Sequence, residues 1–163
     1  LEVKTKDIVF VDMSGRAEKN KKPSSEWRFH LDIYKNSECN AILHAHSKFA
    51  VICSCLYKQI PSFHYMIALT KSKSLKVARY ALFGSKELSK NIIKALRSSN
   101  SCLISNHGQI STGKSLSIAY ELAQEVELLC EYYYFCKLQK SPNIINDKEM
   151  HKVLKKFFSY KSN

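Results

Sequence analysis

The apolar positions of this chain alternate between two rhythms. In "SKELSKNIIKALRSS" (85–99) they recur every three to four residues, the spacing of one helix face. In "CNAILHAH" (39–46) and "SCLISNHG" (101–108) they form short continuous runs, which read as buried strands. Further helices are predicted over "SKFAVICSCLY" (47–57), over "SLSIAYELAQEVELLCEYYYFCKLQ" (115–139), stopped by Ser141-Pro142, and over the basic "NDKEMHKVLKKFFSY" (146–160). "SSEWRFHLDIYKN" (24–36) reads as a helix with Ser24 as N-cap and Glu26 as an acid in its first turn. Strand character also marks "DIVFVDMSG" (7–15), "QIST" (109–112) and "KVARYALF" (76–83), the last running into a turn at Gly84. Strands and helices alternate, so the predicted class is α/β, a central sheet with helices outside. No repeat or low-complexity linker divides residues 1–163, and a chain of this length fits one domain.

Composition adds little to that class. Hydrophobic residues make up 45% and charged residues 25%, as in ordinary globular domains. No apolar run reaches membrane-spanning length, so no membrane partner is expected. The net charge of +12 raises the question of nucleic acid. The lysines are scattered rather than gathered into an aromatic-interleaved stripe, so no nucleic-acid partner is expected; a positive field would equally attract a small phosphorylated substrate. The six cysteines form no C-x-x-C pair and mostly lie in apolar runs, which points to buried free thiols and a reducing cytoplasm. The chain opens on Leu1 in "LEVKTKDIVFVDMSG", which reads like the interior of a longer protein with its N-terminal segment missing.

Three short stretches carry chemistry. In "AILHAHSKFA", His44 and His46 stand two apart on a predicted strand, so both imidazoles face one side. His107, at the end of another apolar strand, would complete an open three-histidine site of the kind that holds catalytic zinc. Six histidines also leave room for one H-x-H pair by chance, and the residues alone leave both readings open. In "PSSEW", Ser24 and Ser25 open a predicted helix, where hydroxyls and free amides can seat a phosphate with the Glu26 carboxylate beside it. Plain helix capping accounts for the same three residues. Finally, Gly108 to Ser115 spells G-x-x-x-x-G-K-S, a phosphate-binding loop pattern. Against it, "QIST" has strand character, and no later apolar strand ends in an aspartate for Mg²⁺.

Taken in order, "PSSEWRFHLDIY", "AILHAHSKFA", "HYMIAL", "RYALFGSKELS" and "SNHGQISTGKSLSIAYELAQEVE" resemble the class II aldolase/adducin family over nearly the whole chain. The resemblance implies a three-layer αβα fold around a mixed, mainly antiparallel sheet. It implies zinc held by His44, His46 and His107 with Glu26 nearby, and Ser24 and Ser25 binding substrate phosphate. Tyr65 and Phe83 match positions lining the aldehyde side. "VLKKFFSYKSN" resembles the tail of a family aldolase, which makes Tyr160 a candidate proton donor. The implied substrate is a phosphorylated ketose, cleaved by a homotetramer with active sites between subunits. Glu26-Trp27, where family epimerases resemble serine-serine-aspartate-threonine, favours an aldolase. An epimerase, dehydratase or decarboxylase of the same fold, or a non-catalytic adducin-like module, stays as an alternative. Two departures stand out. The family's early glycine-asparagine and threonine/serine-glycine turns, which complete the phosphate site, do not appear here. Ala45 replaces the usual threonine between the paired histidines.

Overall fold

The computed structural model describes residues 3–160, without the side chains of Phe158 and Tyr160. Five helices and five strands build it: α1 (Trp27–Asn36), β1 (Ala41–Ala45), α2 (Lys48–Leu56), β2 (Gln59–Ile60), β3 (Leu75–Ala78), α3 (Lys86–Leu96), β4 (Ser101–Ile104), β5 (Gly108–Gly113), α4 (Leu116–Gln139) and α5 (Asp147–Tyr160). Short 3₁₀ turns cover Thr5–Asp7 and Tyr65–Thr70.

The sheet runs β1-β5-β4-β3-β2. Only β3 and β4 pair in parallel; the other three pairings are antiparallel. Helices cover both faces, which makes the three-layer αβα arrangement. On one face α1 and α3 bury Phe29, Ile33, Leu88 and Ile92 against Cys102, Ile104 and Ile110. On the other, α2 and α4 bury Ala50, Cys53, Val126 and Leu129 against Leu103. The buried apolar positions of α3, Leu88, Ile92 and Ala95, follow the helical spacing read from the sequence. α4 keeps the same rhythm from Ala119 through Tyr133.

β5 is fully buried although it reads GQISTG. Its polar groups are largely paired. Ser101 Oγ donates to the Ile110 carbonyl at 2.7 Å and lies 3.0 Å from Ser111 Oγ, while Thr112 Oγ1 donates to the Asn100 carbonyl at 3.1 Å. Such pairing is what allows polar residues in a sheet interior. The phosphate-loop spelling therefore falls on a strand, and Lys114 reaches the Glu38 carbonyl at 2.8 Å.

Three local expectations fail. The strand expected over 76–83 ends at Ala78, and residues 79–83 form none. Residues 7–15 form no strand; only an isolated bridge joins Val11 and Ala17, and Ile8, Phe10 and Met13 stand exposed. Nor does Ser24 cap α1. The helix begins at Trp27, and Ser24 Oγ accepts the Glu26 amide at 3.2 Å in a turn before it.

Candidate metal centre and active site

β1 and the β4–β5 turn bring three imidazoles together. One nitrogen from each of His44, His46 and His107 lies within 4.8 Å of the others. His44 lies on β1 and His46 directly follows its last residue, Ala45; the two imidazoles face each other with their Nε2 atoms 3.1 Å apart. His107 arrives through a tight turn in which its amide donates to the Ile104 carbonyl at 3.0 Å. Asn106 takes the left-handed conformation (φ 56°), which asparagine tolerates better than most residues. Gly108 follows because nothing larger fits: an added Cβ would lie 2.4 Å from the Ala45 carbonyl oxygen and 3.0 Å from a His46 ring carbon. The Asn-His-Gly run thus has a physical reason at each position.

Gly108→Ala is accordingly expected to cost roughly 3 kcal/mol, since the clash is with backbone that cannot swing aside. Urea unfolding measures it, and a change below about 0.5 kcal/mol, the scatter of ordinary surface changes, would contradict the close approach.

The fourth group is Glu26, 9% exposed. Its Oε2 lies 3.3 Å from His107 Nε2 and 3.5 Å from His44 Nε2. Its Oε1 accepts the Gly84 amide at 3.2 Å. Gly84 has φ 70°, and a Cβ there would meet the Ser25 carbonyl at 2.9 Å, so this turn also needs glycine. Oε2 is buried without a hydrogen-bond partner among the described residues.

The protonation of His44 follows from its partners. Its Nδ1 lies 2.9 Å from the Gln109 carbonyl oxygen, which can only accept, so Nδ1 carries the proton. Burial pushes the His44 pKa down to about 4, against a raising effect of that hydrogen bond and further lowering by His107 and His46. A neutral ring protonated on Nδ1 turns the Nε2 lone pair toward its neighbours. Burial also lowers His107, opposed by the Glu26 carboxylate. Lone pairs converging beside an unpartnered buried carboxylate oxygen are costly without a cation. The donor set, imidazole nitrogen and carboxylate oxygen, is the one that divalent metals such as zinc take. Three nitrogens, with a carboxylate beside them, thus fit a bound metal.

The remaining expected site residues divide into two groups. Ser24 and Ser25 are exposed, immediately before Glu26. Phe83 is 63% exposed and directly precedes the Gly84 whose amide holds Glu26. Tyr65 does not join them. It is 50% exposed, and its ring packs near His64 and 6.3 Å from Phe157 of α5, with none of the three imidazoles among its ring neighbours. Tyr160 ends α5, and its side chain lies outside the described residues. The sequence reading placed a turn at Gly84 but missed its grip on Glu26. The signal was available in principle, as a glycine closing a strand, but its partner lies 58 residues away.

Comparison with known proteins agrees with this geometry. Residues 1–134 match the family described as Class II Aldolase and Adducin N-terminal domain. The chain is 40% identical over 163 residues to a 5-methylthioribulose-1-phosphate/5-deoxyribulose-1-phosphate aldolase of Rhodospirillum rubrum, covering 99% of this chain and 74% of that protein. It is also 40% identical over 162 residues to the L-fuculose phosphate aldolase of Haemophilus influenzae, covering 97% and 74%. A solved L-fuculose 1-phosphate aldolase superposes with a TM-score of 0.90 at 37% identity, over 96% of this chain and 74% of that one. The chain therefore belongs to the class II aldolase and adducin family, and is an aldehyde-lyase of its metal-dependent aldolase branch. Equal identity to relatives named for different sugar phosphates leaves the substrate to be argued from the site.

Proposed function

We propose that this chain cleaves a ketose 1-phosphate, of the fuculose or 5-deoxyribulose type, to dihydroxyacetone phosphate and a small aldehyde, with zinc as its metal. The observation that supports this best is the meeting of His44, His46 and His107 at a buried Glu26 carboxylate, next to two exposed serine hydroxyls. His44, His46 and His107 would hold the metal. When bound, it supplies Lewis acidity to the oxygens around the ketone.

The chain's own groups do the rest. Ser24 and Ser25 offer hydroxyls to the substrate phosphate, two residues and one residue before Glu26. A phosphate held there would bring the carbons beside the ketone toward the Glu26 carboxylate. Glu26 keeps one oxygen on the Gly84 amide and the other free, so it can take or return a proton at the carbon next to the ketone without losing its position. Phe83 gives the aldehyde end an apolar wall. A tyrosine, Tyr160 or Tyr65, serves the aldehyde oxygen.

Tyr65 sits away from the imidazoles of its own chain, and this favours a homotetramer in which it reaches the site of a neighbour. The apolar side chains left exposed on α4, among them Tyr120, Leu128, Tyr132, Phe135 and Leu138, give such a neighbour a surface to cover. The cytoplasm is the compartment we assign, since all six cysteines are free. Among the described residues no helix is long and apolar enough to cross a membrane.

The test is a cleavage screen. Zinc-loaded protein is offered fuculose 1-phosphate, 5-deoxyribulose 1-phosphate and 5-methylthioribulose 1-phosphate, with dihydroxyacetone phosphate measured as product and metal content measured alongside. Release from at least one substrate, with about one zinc per chain, is expected. No release from any of them by metal-loaded protein would sink the reading.

A further inference from the structure

Between the three histidines and helix α4 runs a chain of hydrogen bonds. Gln109 is 1% exposed on β5, two residues after His107. Its backbone carbonyl accepts His44 Nδ1–H at 2.9 Å. Its side-chain amide donates to the Ala123 carbonyl at 3.1 Å and to Ser47 Oγ at 2.7 Å. Because the Ala123 carbonyl can only accept, the orientation of that amide is fixed. Ser47 Oγ, having accepted from Gln109, donates its single proton to Glu127 Oε2 at 2.6 Å. Glu127, on α4, also accepts the first free amides of α2, Phe49 N–H at 2.7 Å and Ala50 N–H at 2.9 Å. Ser47 is the residue directly after His46.

We propose that Glu127, Ser47 and Gln109 are positioning residues for the metal centre, a brace that fixes His44 and His46 relative to His107. Each ligand has its tie. His44 is held through the Gln109 carbonyl. His46 is held through Ser47, whose hydroxyl is clamped from two sides. His107 is joined to Gln109 through Gly108 alone. The bland account of Glu127 is a carboxylate capping the N-terminus of α2 from a neighbouring helix. That account explains the amides of Phe49 and Ala50. It does not explain why the Ser47 hydroxyl lies between Glu127 and a buried glutamine whose own backbone orients a ligand. Partners of this kind set the direction and basicity of metal-binding histidines.

The inference rests on the metal reading above, and its test separates the two. Zinc affinity of the full chain is measured by competition with a chromophoric chelator, and the Co²⁺-loaded protein is examined by visible absorption. Ser47→Ala cuts the link while leaving the Phe49 and Ala50 amides on Glu127. Gln109→Leu, a second variant, removes the other half of the clamp and keeps the backbone carbonyl. Both are expected to weaken zinc binding by about 10- to 100-fold and to shift the Co²⁺ absorption, while Ser47→Thr, which keeps the hydroxyl, restores both. If wild-type protein binds zinc and cobalt and the two variants match it in affinity and spectrum, with only their melting temperatures lowered, the residues are structural and the brace is overturned. Should wild-type protein bind neither ion, the metal reading itself fails and takes the brace with it.

Discussion

His44→Ala protein is expected to lose bound zinc and cleavage activity together. His44 is the most constrained of the three imidazoles. Its Nδ1–H is committed to the Gln109 carbonyl, its ring meets Phe29 edge-on at 5.3 Å, and its side chain is only 12% exposed. Its β1 neighbours, Leu43 and Ala45, carry no ligand atom that could take its place. The change leaves two imidazole donors, His46 just past the end of β1 and His107 in the turn, where a catalytic zinc takes three. The affinity loss should exceed the 10- to 100-fold typical of outer partners, so zinc should fall below detection after dialysis. Elemental analysis and product release read the outcome, on protein whose circular dichroism is native. Zinc retained at the wild-type ratio would remove His44 from the ligand set.

A second variant separates chemistry from binding. Glu26→Gln is expected to lower kcat by about 10²- to 10⁴-fold, the range of a general acid–base group, while metal content and affinity for inorganic phosphate stay near wild type. The amide keeps the shape of the carboxylate, and its carbonyl oxygen can still accept the Gly84 N–H. What it loses is the ability to hold a proton at the oxygen facing His107, 3.3 Å away. Unchanged turnover would reject Glu26 as the base. A loss of zinc equal to the loss of rate would make it a ligand instead.

The sheet and its covering helices were legible because burial in them follows local periodicity. Leu88, Ile92 and Ala95 announce the inward face of α3, and the run Cys102–Ile104 announces a central strand. Residues 7–15 misled because Val9 and Val11 alternate with larger apolar residues as a strand would, yet only Val11 finds a bridging partner. β2 has two residues, too few to carry a pattern, and Tyr65–Thr70 is a 3₁₀ turn with no period of its own to read. The histidine pair was legible because its spacing is that of one strand face. The deep burial of Glu26 was not, since an acid after two serines reads as a solvated helix start. Its burial depends on the Gly84 turn, and the clamp on Ser47 depends on α4, 80 residues further along the chain. Tertiary contacts of that span leave no trace in local sequence.

The pairing of β1 with β5 also sets when the metal centre can exist during folding. His44 and the Gln109 carbonyl that orients it are 65 positions apart. Closing a loop of that size costs entropy before any contact repays it. Until it closes, a nascent chain offers a metal only the local pair His44 and His46. The third nitrogen arrives with the final strand of the hairpin, when β5 docks between β1 and β4. A metal that prefers three nitrogens therefore prefers the finished sheet, and its binding energy adds to the stability of the native state rather than to any partly folded form. In that sense a bound ion would act as a latch on the longest-range strand pairing of the site.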